Sequence, residues 1–502
     1  MSGRMDSLRG ALVPMEKRSA RKWVPLSVIR VRWAAFAGMA IWVLAGAPSA
    51  IAKPSPCNEP AAKPIVKIDV PGRPFEALAS ADGCWIFASL APEANRGPQA
   101  RFSGADLRKW NREPPRPRDF RGAGGIAVLR RVDGKVKLKR VVRFSPRAGG
   151  VFGIAFANDG KWLVATVPGA GAVVFLDVHR METGKGNPFL GSIRDGERAG
   201  SIYAVASADG RFLFVSDERL HQVSAIDLDK ARRTNFAQSS RIGSIPVGLA
   251  PVGLAFSSDN RYLFITSEVW GRIAQLPSGA RIVVPMQGSG SETRANRWPM
   301  TCHPEVGGKT QNGKPIWWPE GAISVVDLAR AEEHPARAVV GNAPAGCIPV
   351  RVVVAPDGKT VYVTARESNA LLAFDAEKLV TDPEHALVGR VIVGRSPVGL
   401  AVIDRGRKAI VANSSRFGGS GGRDLTVVSM SGIREGEAKL EGTIPAGAFP
   451  RELHMTPDGR TLILTNFGSE QLELIDLDRL RRVLEPVKVS PAGKDAAKVP
   501  AP

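Results

Sequence analysis

Five residues of this 502-residue chain could act together at one pocket. Seven copies of a short pattern run along the sequence, each carrying an Asp-Gly turn or a close variant. Superposing the turns puts Glu76, Gly153, Tyr203, Gly253, Arg351, Gly399 and Glu452 at one equivalent place. A small residue is the default there, so Glu76, Tyr203, Arg351 and Glu452 are polar departures around a shared centre. Two carboxylates and an arginine can do acid/base work on a lactone or hold a polar ligand. They can equally form an ion-pair ring that neutralises itself. His454, two residues past Glu452, stands where the other copies have Leu, Ala or Val. It is the best single catalytic candidate, with Glu452 and Arg351 beside it; a hydrogen-bonded structural histidine is the competing reading. The other histidines (His179, His221, His303, His334, His385) show no metal-ligand spacing. No serine nucleophile elbow and no dinucleotide fingerprint is present, so neither a metal nor a cofactor is expected.

These residues need a scaffold, and the repeat supplies it. Each copy reads as an apolar strand, a turn, a second strand, a variable loop, then a strand ending in Asp. The turns are Asp82-Gly83, Asp159-Gly160, Asp209-Gly210, Asp259-Asn260, Asp357-Gly358, Asp404–Gly406 and Asp458-Gly459. Gly accepts positive φ and Asp tolerates it, which suits a tight hairpin. The third strands end alike, as at Phe175–Asp177, Ala225–Asp227, Val325–Asp327, Ala373–Asp375 and Leu474–Asp476. Turn spacing near fifty residues matches one four-stranded propeller blade. The longer gap from Asn260 to Gly358 holds a single terminal strand, so it is an insertion and not an eighth blade. No blade covers both faces of its own sheet, so the blades must curl into a ring. The expectation is an all-β, seven-bladed β-propeller of four-stranded antiparallel blades. Either Ile65–Val70 or Val487–Val489 would complete the last blade.

The stretches Pro356–Ala365 (PDGKTVYVTA) and Pro457–Asn466 (PDGRTLILTN) resemble YVTN β-propeller repeats. The resemblance spans roughly residues 64–480, and the family overlaps propeller lactonases and archaeal surface-layer propellers. It implies the fold strongly and an activity weakly, because the shared residues are turn and packing positions. In lactonase-type propellers an inner-strand segment resembling Gly-Pro-Arg-His-Leu carries functional groups. The matching stretch here is Phe449–His454 (FPRELH), with His displaced by two residues.

Three insertions, Pro92–Arg121, Val269–Gly321 and Ser414–Arg423, fall in the loop after a second strand. Glu218 and Glu268, at second-strand ends, are expected on the same rim. The middle insertion holds Trp270, Trp298, Trp317, Trp318, Cys302 and His303. Exposed aromatics would suit a carbohydrate, peptide or protein; the alternative is a small core pinned by Cys302. The first insertion mixes eight basic residues with Phe102 and Trp110, which admits a nucleic acid or a plain solvated loop.

Residues 1–52 read as an export signal. Basic residues lead into the apolar run Trp33–Gly46, and Ala50 and Ala52 fit a cleavage site, with an uncleaved anchor as the alternative. Residues 53–63 form a linker, 64–489 the propeller, and 490–502 a disordered tail. Removing the leader lowers the formal charge from +21 to about +15, which favours acidic partners. Four cysteines in an exported chain suggest disulfides, most economically Cys57–Cys84 and Cys302–Cys347. The expected role is a periplasmic or secreted, non-enzymatic propeller that binds a protein, peptide or cell-envelope polymer. A lactonase-like hydrolase is the alternative and polyanion binding a minor one. No motif specifies an oligomeric state, so a monomer is the default.

Overall fold

In the second strands the pattern of buried residues is continuous, not alternating. Thr360–Ala365 and Thr461–Asn466 are buried at every position. A strand is buried this way when sheets cover it on both sides, and its β-branched residues suit that environment. The computed structural model describes residues 57, 59–92, 124–145, 149–271, 320–415 and 423–486, with backbone only for short strands between 272 and 319. These residues form seven antiparallel blades: 73–143, 154–194, 201–246, 249–347, 349–392, 397–445, and 450–476 together with Ile65–Asp69. Within each, pairing runs from the inner strand outward; in blade 5, Val352 faces Val363, Val363 faces Leu372 and Leu372 faces Arg390.

The N-terminal strand Ile65–Asp69 is the outer strand of blade 7 and pairs with Gln471–Ile475. Ring closure is therefore a hydrogen-bonded ladder between the two ends of the propeller. Apolar layers match it: seven clusters each join two neighbouring blades. One runs from Phe87 and Ile126 of blade 1 to Leu163 and Leu176 of blade 2. The closing one joins Ile463 and Leu474 of blade 7 to Ile86 and Leu129 of blade 1. Each blade so gains the neighbour that its sequence requires.

Asp159 and Asp404 have positive φ, +53° and +52°, as the sequence suggests, but four of the turns work differently. Gly83, Gly210, Gly358 and Gly459 have φ near +70°, while the preceding aspartates keep negative φ. Each of these aspartates acts through its side chain instead. Asp82 accepts from the Ser80 hydroxyl at 2.5 Å and the Cys84 N–H at 2.9 Å. Asp209 and Asp458 do the same with Ser207 and Thr456. The Asp residues that end the third strands are helix N-caps. Asp177, Asp227 and Asp327 accept N–H bonds from residues three further on, at 2.7 to 3.0 Å, and start one-turn helices.

Cys57 and Cys84 are disulfide-bonded. Cys347 is also disulfide-bonded; its expected partner Cys302 lies outside the described side chains, as do the expected export signal over residues 1–52, the expected tail over residues 490–502 and most of the three insertions. Among the described residues, no helix is long and apolar enough to cross a membrane.

Candidate functional site at the propeller axis

The axial residues are set by a bulge and a hydroxyl that recur from blade to blade. The ladder between inner and second strands slips at Pro74/Ala77, Ser201/Tyr203, Pro349/Arg351 and Pro450/Leu453. A bulge re-aims side chains locally, and these slips bracket or adjoin Glu76, Tyr203, Arg351 and Glu452. The freed N–H of the axial residue is taken by a Ser or Thr in the second strand. Ser89 accepts from Glu76 (3.1 Å), Ser216 from Tyr203 (3.2 Å), Thr364 from Arg351 (3.1 Å) and Thr465 from Glu452 (3.0 Å). The same hydroxyl donates to a carbonyl of the next blade: Thr166 to Ile202, Ser216 to Val252, Thr266 to Val350, Thr364 to Val398 and Thr465 to Phe75. Blade 6, with Ala412 there, lacks the hydroxyl. This ring of links was missed in the sequence, although a Ser or Thr at a fixed distance after six of the seven turns signals it. Replacing Thr465 with Val should cost about 1–3 kcal/mol, since both the Glu452 N–H and the Phe75 carbonyl lose their partner in a buried place. Urea unfolding of the variant measures it, and an unchanged midpoint would deny the ring a stabilising role.

Tyr203, Arg351 and Glu452 meet at the axis, as their equivalent positions suggested. Arg351 donates to the Glu452 carboxylate and to the Tyr203 hydroxyl, and Tyr203 donates to the same Glu452 oxygen. The Arg351 guanidinium also lies over the Tyr203 ring, 3.9 Å from its centroid. Arg451 adds a second guanidinium, its Nε 3.7 Å from Glu452 and its Nη2 3.4 Å from the tyrosine oxygen. Burial pushes the Tyr203 phenol well above its ordinary range. Burial pulls Arg351 down, but Glu452, then Tyr203 and Glu76, outweigh it and hold the guanidinium charged. The cluster is a self-paired plug.

His454 belongs to a different pairing from the expected one. Its Nε2 lies 3.0 Å from Glu76 Oε1, and Glu76 Oε2 accepts the Ile154 N–H at 2.7 Å. The reason is tertiary: blade 7 abuts blade 1, so Glu76 reaches His454, while Glu452 is claimed from across the axis by Arg351. The imidazole is the more open member of the axial set, 33% exposed against 8% for the Glu76 side chain.

On the rim, Glu268 pairs with Arg366 at 3.0 Å, which itself adjoins Glu367. Glu218 is half-buried at the end of its strand, its N–H bonded to the Gly200 carbonyl. Trp270 is 5% exposed and so packs inward, which departs from an exposed aromatic contact. Trp298, Trp317 and the Trp318 side chain lie outside the described residues. Glu320, at the root of the middle insertion, was not singled out in the sequence; burial pushes its carboxyl up to about 8.

A second group that the sequence did not flag lies between blades 2 and 3. Asp195 and Asp217 are buried, and their Oδ2 atoms accept from Ser201 (2.7 Å) and Ser224 (2.6 Å). Their Oδ1 atoms have no hydrogen-bond partner among the described residues. The nearby Arg241 binds Ser224 instead, at 3.1 Å. Burial, then the charge of Asp217, raises Asp195 well above the usual carboxylate range, and burial raises Asp217. Folding thus favours the protonated forms. Their contribution is complete below the ordinary carboxylate pKa and is lost as pH rises through the raised values. The urea midpoint should fall as pH rises above the ordinary carboxylate range, with Glu320, raised to about 8, acting in the same direction. Asp217→Asn should flatten that slope; an equal slope in the variant would refute the assignment.

No protein-family model matches the chain, and no curated protein matches it. Solved structures do resemble it. A chain of the mitotic checkpoint complex is 14% identical with a TM-score of 0.52, covering 89% of this chain and 99% of that one. The β-propeller domain of Cps50 (Swd1) from Myceliophteria thermophila is 10% identical with a TM-score of 0.50, covering 82% and 99%. A periplasmic gluconolactonase of Pseudomonas aeruginosa, PpgL, is 17% identical with a TM-score of 0.47, covering 70% and 88%. At such identities the likeness extends to the propeller fold alone.

Proposed function

We propose that the chain is an exported YVTN-type β-propeller that holds a protein, peptide or cell-envelope polymer on its insertion-bearing face, in the periplasm or outside the cell. One observation carries this reading. The insertions leave the blades after Ala91, Val269 and Asn413, all between second and third strands, at the end opposite the Asp-Gly turns. Binding segments concentrate on loops that a rigid scaffold presents together. The disulfides fit an oxidising compartment. Support against catalysis at the axis comes from the Glu452 carboxylate and the Tyr203 hydroxyl, which are already engaged by each other and by Arg351. The test compares the full chain with a variant lacking residues 272–319, after both are shown to melt alike. A ligand retained by the first and lost by the second supports the reading. Retention that ignores deletion of every insertion sinks it.

A lactonase-like hydrolase is the second reading, favoured by the partly open His454 imidazole held by the buried Glu76 carboxylate. A carboxylate fixes the orientation of such a ring. Lactone hydrolysis that disappears in His454→Ala would establish it; a lactone panel left untouched by the wild-type protein removes it.

A further inference from the structure

We propose that Arg73 and Arg451, at the insertion-side mouth of the axis where blade 7 meets blade 1, form a seat for a small oxyanion, a carboxylate or a phosphate. The Arg73 guanidinium lies over Phe467, 3.9 Å from the ring centroid. Arg451 lies over Phe75 at 3.7 Å, and 5.8 Å from both Phe449 and Phe467. A guanidinium stacked on a ring uses its face and keeps its in-plane N–H edge for an acceptor. Among the described residues, no hydrogen-bond acceptor and no ion-pair partner serves the Arg73 side chain. Glu470 offsets it through space only. The Arg451 Nη2 donates to the Tyr203 hydroxyl at 3.4 Å, but its Nε has no hydrogen-bond partner among the described residues, with Glu452 3.7 Å away.

The electrostatics agree with this geometry. Burial lowers the Arg73 pKa, Glu470 opposes the shift, and the like charge of Arg451 adds to it. The two guanidinium groups lie 3.9 and 5.8 Å from the centroid of the same Phe467 ring, which places two like charges around one aromatic side chain with partial compensation. An oxyanion between them would relieve the repulsion, and the fork of a guanidinium matches a carboxylate or phosphate edge. Position suits ligand entry too. Arg73 pairs with Ala91, the residue from which the first insertion departs. The seat is independent of the partner-binding reading, because every residue in it belongs to the propeller body.

Isothermal titration of the purified protein, disulfides intact and ionic strength held with chloride, tests it. The probes are inorganic phosphate and succinate. Saturable binding of one or both is expected, and the stronger names the source of the oxyanion. Arg451 is buried and its loss could unfold the chain, so the half-exposed Arg73 is the residue to change. Arg73→Gln should weaken binding at least tenfold, whereas Arg405→Gln, on the turn face, should leave it unchanged. Absence of saturable binding to either probe overturns the proposal, and so does equal affinity in Arg73→Gln. The titration involves no partner and no insertion, so its failure leaves the partner-binding reading standing.

Discussion

Glu452→Ala should lower the unfolding free energy by roughly 3–5 kcal/mol, the usual cost of stripping one partner from a buried ion pair. The carboxylate is buried and shared by Arg351, Tyr203 and, at 3.7 Å, Arg451. Its loss leaves two guanidinium groups facing each other with little water to solvate them. The desolvation cost of the whole cluster is already present in the native protein. Replacing the pair with apolar residues, Arg351→Met with Glu452→Leu, should therefore cost less than the single change. Urea unfolding of both variants decides it. A single variant that loses under about 1 kcal/mol, or a double variant that loses more than the single, would contradict a self-paired plug.

Loss of the Cys57–Cys84 bond should cost about 3.5 kcal/mol by the chain-entropy relation, given a separation of 27 residues. The bond ties the segment before Ile65–Asp69 to the first hairpin, next to the Asp82 turn. That strand is also the outer strand of blade 7, so the crosslink reinforces the closure of the ring. The effect is best read in Cys57→Ser/Cys84→Ser, because a reductant would also open the bond at Cys347. Unfolding of the double variant in urea should shift to lower denaturant. An unshifted transition would mean that the ladder from Ile65 to Asp69 closes the ring unaided.

Most of the architecture is local in origin, and local features are what a sequence displays. A Gly at a position that needs positive φ, a Ser or Thr two residues before an Asp, and a β-branched run on either side specify a hairpin without reference to the rest of the chain. Seven such hairpins, none able to cover its own faces, imply a ring. The insertions show as breaks in an otherwise even spacing, and the axial positions show as departures from glycine.

What the side chains do there depends on distance through space. His454 finds Glu76 across 378 residues of chain, and Thr465 finds the Phe75 carbonyl across 390. The choice of Glu76 over the sequence-adjacent Glu452 follows from which blade edge abuts which. Asp195 and Asp217 likewise read as ordinary turn and strand-end residues until two blades bury them together. The chain by itself therefore determined the repeat, the blade count and which positions approach the axis, because short-range backbone chemistry encodes them. Only ring closure decided the pairing of charges, since Coulombic and hydrogen-bond partners are chosen by proximity after the blades have packed.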